Sequence, residues 1–243
     1  MNNSGFPFIC LTVGSAHYFR KKANKRRIRR GFISIIMEAQ AQHKRRLFVS
    51  IDLESREARE SIKALIGELK RDGLRDASFV PPENIHLSMK FLGDVPESRM
   101  SEVTECIEKA CTGTPPFKLR IEGFGSFPEG RPLRFARVLF VKAVAEKEGL
   151  LENLAGRLSS EFAARGIGKR DNTTKPFTPH ITIARIRRPP ADSALPALEK
   201  TMQRNENVYI GAEAVNSVCL KESSLAIGRP PMYETRFRCE LKD

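Results

Sequence analysis

Apolar residues recur along this chain in two rhythms, period two and period 3.6, and the order strand, helix, strand is written twice. Residues 46–53 (RLFVSIDL) form a short apolar run that predicts a buried strand. Ile62, Leu65, Ile66 and Leu69 then fall at helical spacing within 55–71, and NIHLSMKFLG (84–93) predicts the next strand. In the second half, FARVLFVKAV (135–144) reads as a strand, and residues 146–165 place Leu150, Leu151, Leu154, Leu158 and Phe162 on one helical stripe. PHITIARIR (179–187) closes the unit as a strand. From strand start to the histidine of the later strand the spacing is about 40 residues in both halves, a period that points to internal duplication. Between and after the two units, the pattern predicts a helix over 97–111 with Met100, Val103, Ile107 and Ala110 inward, and a strand over 115–127. A short helix near 193–204 and closing strands at 216–223 and 233–241 follow. The GFGSFP segment (123–128) reads as a turn, since it lacks the spacing of a phosphate-cradling loop.

The two histidine strands carry the candidate chemistry. Side chains at i and i+2 of a strand share a face, so His86 projects beside Ser88 and His180 beside Thr182, while Leu87, Met89, Ile181 and Ile183 point the other way. One such triplet is weak; two, in similar apolar strands of a duplicated unit, are a pattern. Two copies packed about a pseudo-twofold axis would face these strands across a shared cleft. With an ordinary pKa near 6.5, one imidazole can be neutral and the other charged at the same pH, which suits a base and an acid acting on one phosphorus centre. The hydroxyls can donate to non-bridging phosphate oxygens. That chemistry asks for no metal and no cofactor. Lys90 shares the parity of His86 and Ser88 and reads as a solvated lysine at a strand end. His17 and His43 carry no motif.

The formal net charge is +13, but residues 1–37 hold eight Lys/Arg and no acid, which leaves +5 for the remainder. A mildly basic body is compatible with a polyanionic partner. Five cysteines with no Cys-x-x-Cys pair offer neither a disulfide framework nor a zinc site, and the natural reading is a reducing cytoplasm. The leader puts its basic run RKKANKRRIRR (20–30) after its apolar stretch, the reverse of a secretory signal, and no run is long enough to span a bilayer. A transit peptide, a nonspecific nucleic-acid arm and an upstream start assignment all account for it. Because Met37 stands just before EAQAQHKRRLFVSIDL, the last is favoured; residues 1–43 are expected to be a basic, disordered extension and 44–243 the folded domain.

RLFVSIDL, ENIHLSMKFLGDV, GFGSFP, KPFTPHITIAR and the closing KESSLAIGRPPMYETRFRCEL together resemble, in order, the two-histidine (2H) phosphoesterase superfamily and its LigT-like RNA 2′,3′-cyclic phosphodiesterases, the 2′-5′ RNA ligase family. The resemblance covers about residues 44 to 241. It implies an α+β fold of two pseudo-symmetric lobes, each an antiparallel sheet flanked by helices, around a central cleft. It also implies hydrolysis of RNA 2′,3′-cyclic phosphate ends to 2′-phosphomonoesters. On it, His86 matches the proton donor, His180 the proton acceptor, and Arg185 a phosphate-contacting arginine beside Ser88 and Thr182. Strict alternation would turn Arg185 away from His180, so this match requires the strand to end or bulge first. The first triplet ends in serine where the family more often has threonine. The partner implied is RNA with cyclic-phosphate termini, acted on by a monomer without metal or membrane. Alternatives are the reverse 2′-5′ ligation, a small cyclic nucleotide or 2′-5′ oligoadenylate as substrate, and a noncatalytic RNA-end binding module.

Overall fold

The computed structural model describes residues 43–168, 177–226 and 230–242. The chain divides into two compact units, of which residues 44–95 with 99–243 form the sheet and its helices. The other, residues 1–43 with 96–98, is described only at 43 and 96–98, so the expected basic extension, with His17, lies outside the described residues.

In chain order the elements are β1 (Lys44–Asp52), α1 (Arg56–Arg71), β2 (Ala77–Phe79), β3 (His86–Pro96), α2 (Met100–Cys111), β4 (Phe117–Phe127), β5 (Val138–Ala145), α3 (Leu150–Ala164), β6 (His180–Ile186), α4 (Leu195–Arg204), β7 (Tyr209–Val215), β8 (Ser217–Ser224) and β9 (Met232–Glu240). The duplication is visible in the topology. One nine-stranded sheet runs β7-β4-β5-β6-β3-β1-β8-β9, with β2 also on β6, so four strands on each side flank a junction between the two histidine strands. Pairing is antiparallel for β4 with β5 and β7, for β6 with β2, β3 and β5, and for β8 with β1 and β9.

The helical stripes face the core as the periodicity requires. α1 buries Ala58, Ile62, Leu65, Ile66 and Leu69, and α3 buries Leu151, Leu154, Ala155, Leu158 and Phe162. Leu150, counted on that stripe, is only half-buried at the first turn. α1 begins where Ser55 Oγ accepts the Ala58 N–H at 3.3 Å, satisfying one amide that the first turn leaves without a helical partner. Two more amides just ahead of the helix, those of Glu54 and Ser55, donate to the Glu213 carboxylate on β7 at 2.8 and 2.7 Å. Glu213 is only 5% exposed, so an edge strand of one half holds the entry to the first helix of the other.

Three sequence expectations change. GFGSF lies inside β4, as the strand expected over 115–127 has it and not as a turn, and the irregularity there is a register shift between Glu122 and Phe124. Gly123 supplies it with φ +70°, where a Cβ would collide with the Glu206 carbonyl oxygen. β2 and β7 were not anticipated: three residues are too few for a period, and YIGAEAV has little apolar contrast with a charge at its buried position. Lys90 is 9% exposed, a buried residue where a solvated lysine was expected.

Candidate active site

At the junction of the two halves, Leu87 on β3 stands opposite Ile181 on β6. Counting from that pair in antiparallel register sets His86 opposite Thr182 and Ser88 opposite His180. Each imidazole thus has the other strand's hydroxyl as its direct neighbour, and the two histidines are diagonal neighbours, about 7–8 Å apart by ordinary sheet geometry. All four side chains are half-buried, on the face opposite buried Leu87, Met89, Ile181 and Ile183.

Each ring is oriented by a bond to the carbonyl two residues upstream. Nδ1–H of His86 donates to Asn84 O at 2.7 Å, and Nδ1–H of His180 to Thr178 O at 2.7 Å. A carbonyl can only accept, so the neutral tautomer of each ring keeps its proton on Nδ1 and leaves Nε2 as a base. At His86, Nε2 accepts the Ser88 hydroxyl at 3.0 Å. Aromatic rings wall both imidazoles. Phe48 and Tyr233 lie 5.0 and 5.3 Å from His86; Phe127 and Phe140 lie 4.9 and 5.3 Å from His180. Phe48 and Phe140 are the centres of two LFV triplets, 47–49 and 139–141, so the repeat extends to the residues behind the histidines.

Burial depresses the His86 pKa below its ordinary 6.5, since a charged imidazole loses solvation in the aromatic wall. The bond to Asn84 O and the Asp52 carboxylate work the other way, while Lys221 and Arg185 add to the depression. Lys221 pairs with Asp52 at 2.9 Å, which keeps two opposing charges near this ring.

Arg185 reaches the same face as His180 because the strand bulges. Along β5, Phe140 stands opposite Thr182 but Leu139 stands opposite Ala184, so Ile183 is the extra residue. Its carbonyl is satisfied by the Val80 N–H at 2.9 Å beside β2. Buried positions run Ile181, Ile183, then Ala184, Ile186, and this one-residue slip turns Arg185 outward, exposed. Its charge is felt at both His86 and Tyr233. In β3 the burial order slips likewise, from Leu87 and Met89 to Lys90 and Leu92, so Phe91 comes outward at the position equivalent to Arg185, five residues past the histidine. Beside these strands opens a cavity of about 990 Å³ lined by Ser88, Phe91, Phe127, Arg137, Thr178 and His180, among others.

All five residues singled out from the sequence, His86, Ser88, His180, Thr182 and Arg185, therefore come to one sheet face. The sequence reading missed Phe48, Phe140 and Phe91, although aligning the two halves would have found them, and Tyr233, for which no local pattern exists. Among the described residues, no group of three or more His, Cys, Asp or Glu side chains is placed to hold a metal ion, and no helix is long and apolar enough to cross a membrane.

A continuous antiparallel sheet with paired His-x-Ser/Thr strands side by side at its middle is the fold of the 2H phosphoesterases. Residues 56–213 match the 2′-5′ RNA ligase superfamily, and the chain belongs to that family. It is 30% identical over 190 residues to an RNA 2′,3′-cyclic phosphodiesterase of Archaeoglobus fulgidus, covering 78% of this chain and 96% of that one. The counterpart in Methanothermobacter thermautotrophicus is 29% identical over 189 residues, 76% of this chain and 93% of the relative. Among solved structures, a Thermus thermophilus protein matches with TM-score 0.59 at 29% identity, covering 81% of this chain and 97% of that one. E. coli LigT complexed with NADP+ matches with TM-score 0.56 at 26% identity, covering 82% and 99%.

Proposed function

We propose that this chain hydrolyses RNA 2′,3′-cyclic phosphate ends to 2′-phosphomonoesters with two histidines and no metal. The observation that carries the reading is the diagonal pair of imidazoles, each with its Nδ1–H tied to a carbonyl at 2.7 Å and each opposite a hydroxyl. The names of its relatives, RNA 2′,3′-cyclic phosphodiesterase, support the substrate class.

In this mechanism Nε2 of His180 takes a proton from water as its oxygen attacks phosphorus. In line with the attack, the bond to the 3′ oxygen breaks, and the proton on Nε2 of charged His86 goes to that oxygen. The products are a 3′-hydroxyl and a 2′-phosphomonoester, with the proton pair reset through solvent. Ser88, Thr182 and Arg185 meet the non-bridging oxygens as charge grows there. The depressed pKa of His86 favours its neutral form in the free protein, and this supports a second reading with the two roles exchanged. An anionic phosphate beside the ring opposes the depression, which lets the first assignment stand once substrate is bound.

The test is digestion of an RNA bearing a 2′,3′-cyclic phosphate, followed by treatment with an enzyme that removes only 3′-phosphates. A resistant, 2′-phosphorylated product is expected. A predominantly 3′-phosphorylated product, or no turnover, would overturn the reading.

A further inference from the structure

His86 takes its aim from a residue at the surface. Its Nδ1–H donates to the Asn84 carbonyl at 2.7 Å, and Asn84 closes a short 3-10 turn, Pro82–Asn84, whose first two residues are exposed. Such a bond orients a ring only as well as the turn itself is fixed. Asn84 is fixed twice. Its backbone N–H donates to Pro81 O at 2.9 Å, and its side-chain Nδ2 donates at 2.7 Å to the carbonyl of Pro231, 147 positions along the chain at the entry to β9. A carbonyl can only accept, so the amide end that meets Pro231 is the nitrogen. Two residues further on, Tyr233 sets its ring edge-on to His86, with centroids 5.3 Å apart and planes at 89°. The start of β9 therefore reaches the imidazole by two routes, directly through Tyr233 and through Asn84 by two hydrogen bonds in series. In the other half Thr178 stands in the place of Asn84, two residues before the histidine, and carries no amide, so an amide tether is a feature of the His86 half.

We infer that Asn84 is a positioning residue of the reaction: its side-chain amide ties the turn to β9, so that the His86 imidazole keeps Nδ1–H on the carbonyl and Nε2 aimed at the leaving oxygen. This rests on the proposed phosphodiesterase reading for the reaction it serves, whereas the hold on the ring is a property of the free protein. Without the amide, the peptide after Asn84 is free to turn its carbonyl away. The ring then loses its acceptor at Nδ1, and with it both its fixed tautomer and its fixed direction. Asn84 touches neither substrate nor reacting atom on this account and acts wholly through His86.

Two measurements test it. Heteronuclear NMR of isotope-labelled histidines in the full chain, at a pH where both rings are neutral, reads which ring nitrogen carries the proton. The His86 signals, identified by their loss in His86→Ala, are expected to show it on Nδ1. In Asn84→Ala they should shift toward the Nε2-protonated form while those of His180 hold. Asn84→Asp, of the same shape without the donor, should do the same and serves if the alanine variant does not fold. An unchanged His86 in a folded variant, or an equal change at His180, would overturn the tether. The kinetic arm is a double-mutant cycle on an RNA ending in a 2′,3′-cyclic phosphate. Asn84→Ala is expected to lower kcat about 10-fold with KM unchanged. In a His86→Ala background it should add no further loss, since a residue that acts through the ring then has nothing to position. Losses that multiply, or a loss carried by KM, would overturn the role. Absence of turnover by the parent chain would instead strike the phosphodiesterase reading, and the NMR arm would still decide the tether.

Discussion

Phe140 packs against Gly125 on the neighbouring strand so closely that a Cβ there would stand 2.5 Å from its ring. The same ring backs His180 at 5.3 Å, so the absence of a side chain at one position helps set an imidazole at another. Gly125→Ala is expected to displace Phe140, destabilising the fold by about 1–3 kcal/mol as overpacking does, and to lower kcat about 10-fold through misplacement of His180. Wild-type kcat in a folded Gly125→Ala protein would show that the ring's position does not matter.

His86→Ala and His180→Ala should each lower kcat by about 10²–10⁴-fold, with the double variant far short of multiplicative. A p-nitrophenyl phosphodiester, whose leaving group needs no proton, separates their roles. It should rescue much of the His86→Ala loss and little of the His180→Ala loss. Rescue of His180→Ala instead would exchange the two assignments. Chelation with EDTA should leave both the parent rate and these ratios unchanged.

The two pH profiles should differ on their alkaline side. The free protein holds His86 below its ordinary 6.5, and the proton-donating form disappears as pH rises through that lowered value. Bound phosphate stabilises the charged ring and moves the loss upward. The falling limb of kcat, which reports the complex, is therefore expected at higher pH than that of kcat/KM, which reports the free protein. Coincident limbs would contradict a phosphate-coupled donor at His86.

Arg185→Ala is expected to lower kcat/KM by about 10–100-fold, the scale of a charge-assisted hydrogen bond to phosphate. Arg185→Lys should recover only part, because an ammonium cannot reproduce the planar fork. Full recovery by lysine would reduce the role of Arg185 to bulk charge.

Glu213 offers a test in the scaffold. Burial holds its carboxyl above the ordinary carboxylate value, against the pull of the two amides it accepts. The folded state therefore binds the proton more tightly than the unfolded chain. The stability this group contributes is full below the unfolded value of 4.5 and declines as pH rises through the folded one. Urea melts across pH should show that decline flattened in Glu213→Gln, which keeps a carbonyl acceptor. Glu213→Ala should cost about 2–4 kcal/mol by leaving two amides unpaired.

What was legible in the sequence was whatever repeats at short range. Two His-x-Ser/Thr triplets, two apolar stripes and a spacing of about 40 residues were enough to anticipate the duplicated unit and four of the five polar residues on the working face. Arg185 came from the family resemblance, which required the strand to end or bulge before it but could not say where. ITIARI gives no local sign that Ile183 is an extra residue, since the slip exists only in its pairing with β5 and its bond to Val80. Lys90 was misread because a lysine's burial depends on elements far along the chain. Tyr233 comes from β9, 147 residues past His86, and no window of sequence relates them.

The junction of β3 and β6 also sets a length standard. Had the two imidazoles come from separately mobile lobes, their separation would vary with every hinge motion and a substrate would have to pull them into place. Here they belong to adjacent strands of one sheet, and strand spacing, about 4.8 Å, is among the least compliant dimensions a protein has. In the proposed reaction the gap between the two rings is therefore a fixed gauge set by strand geometry, and discrimination among larger molecules falls to whatever lies around its rim.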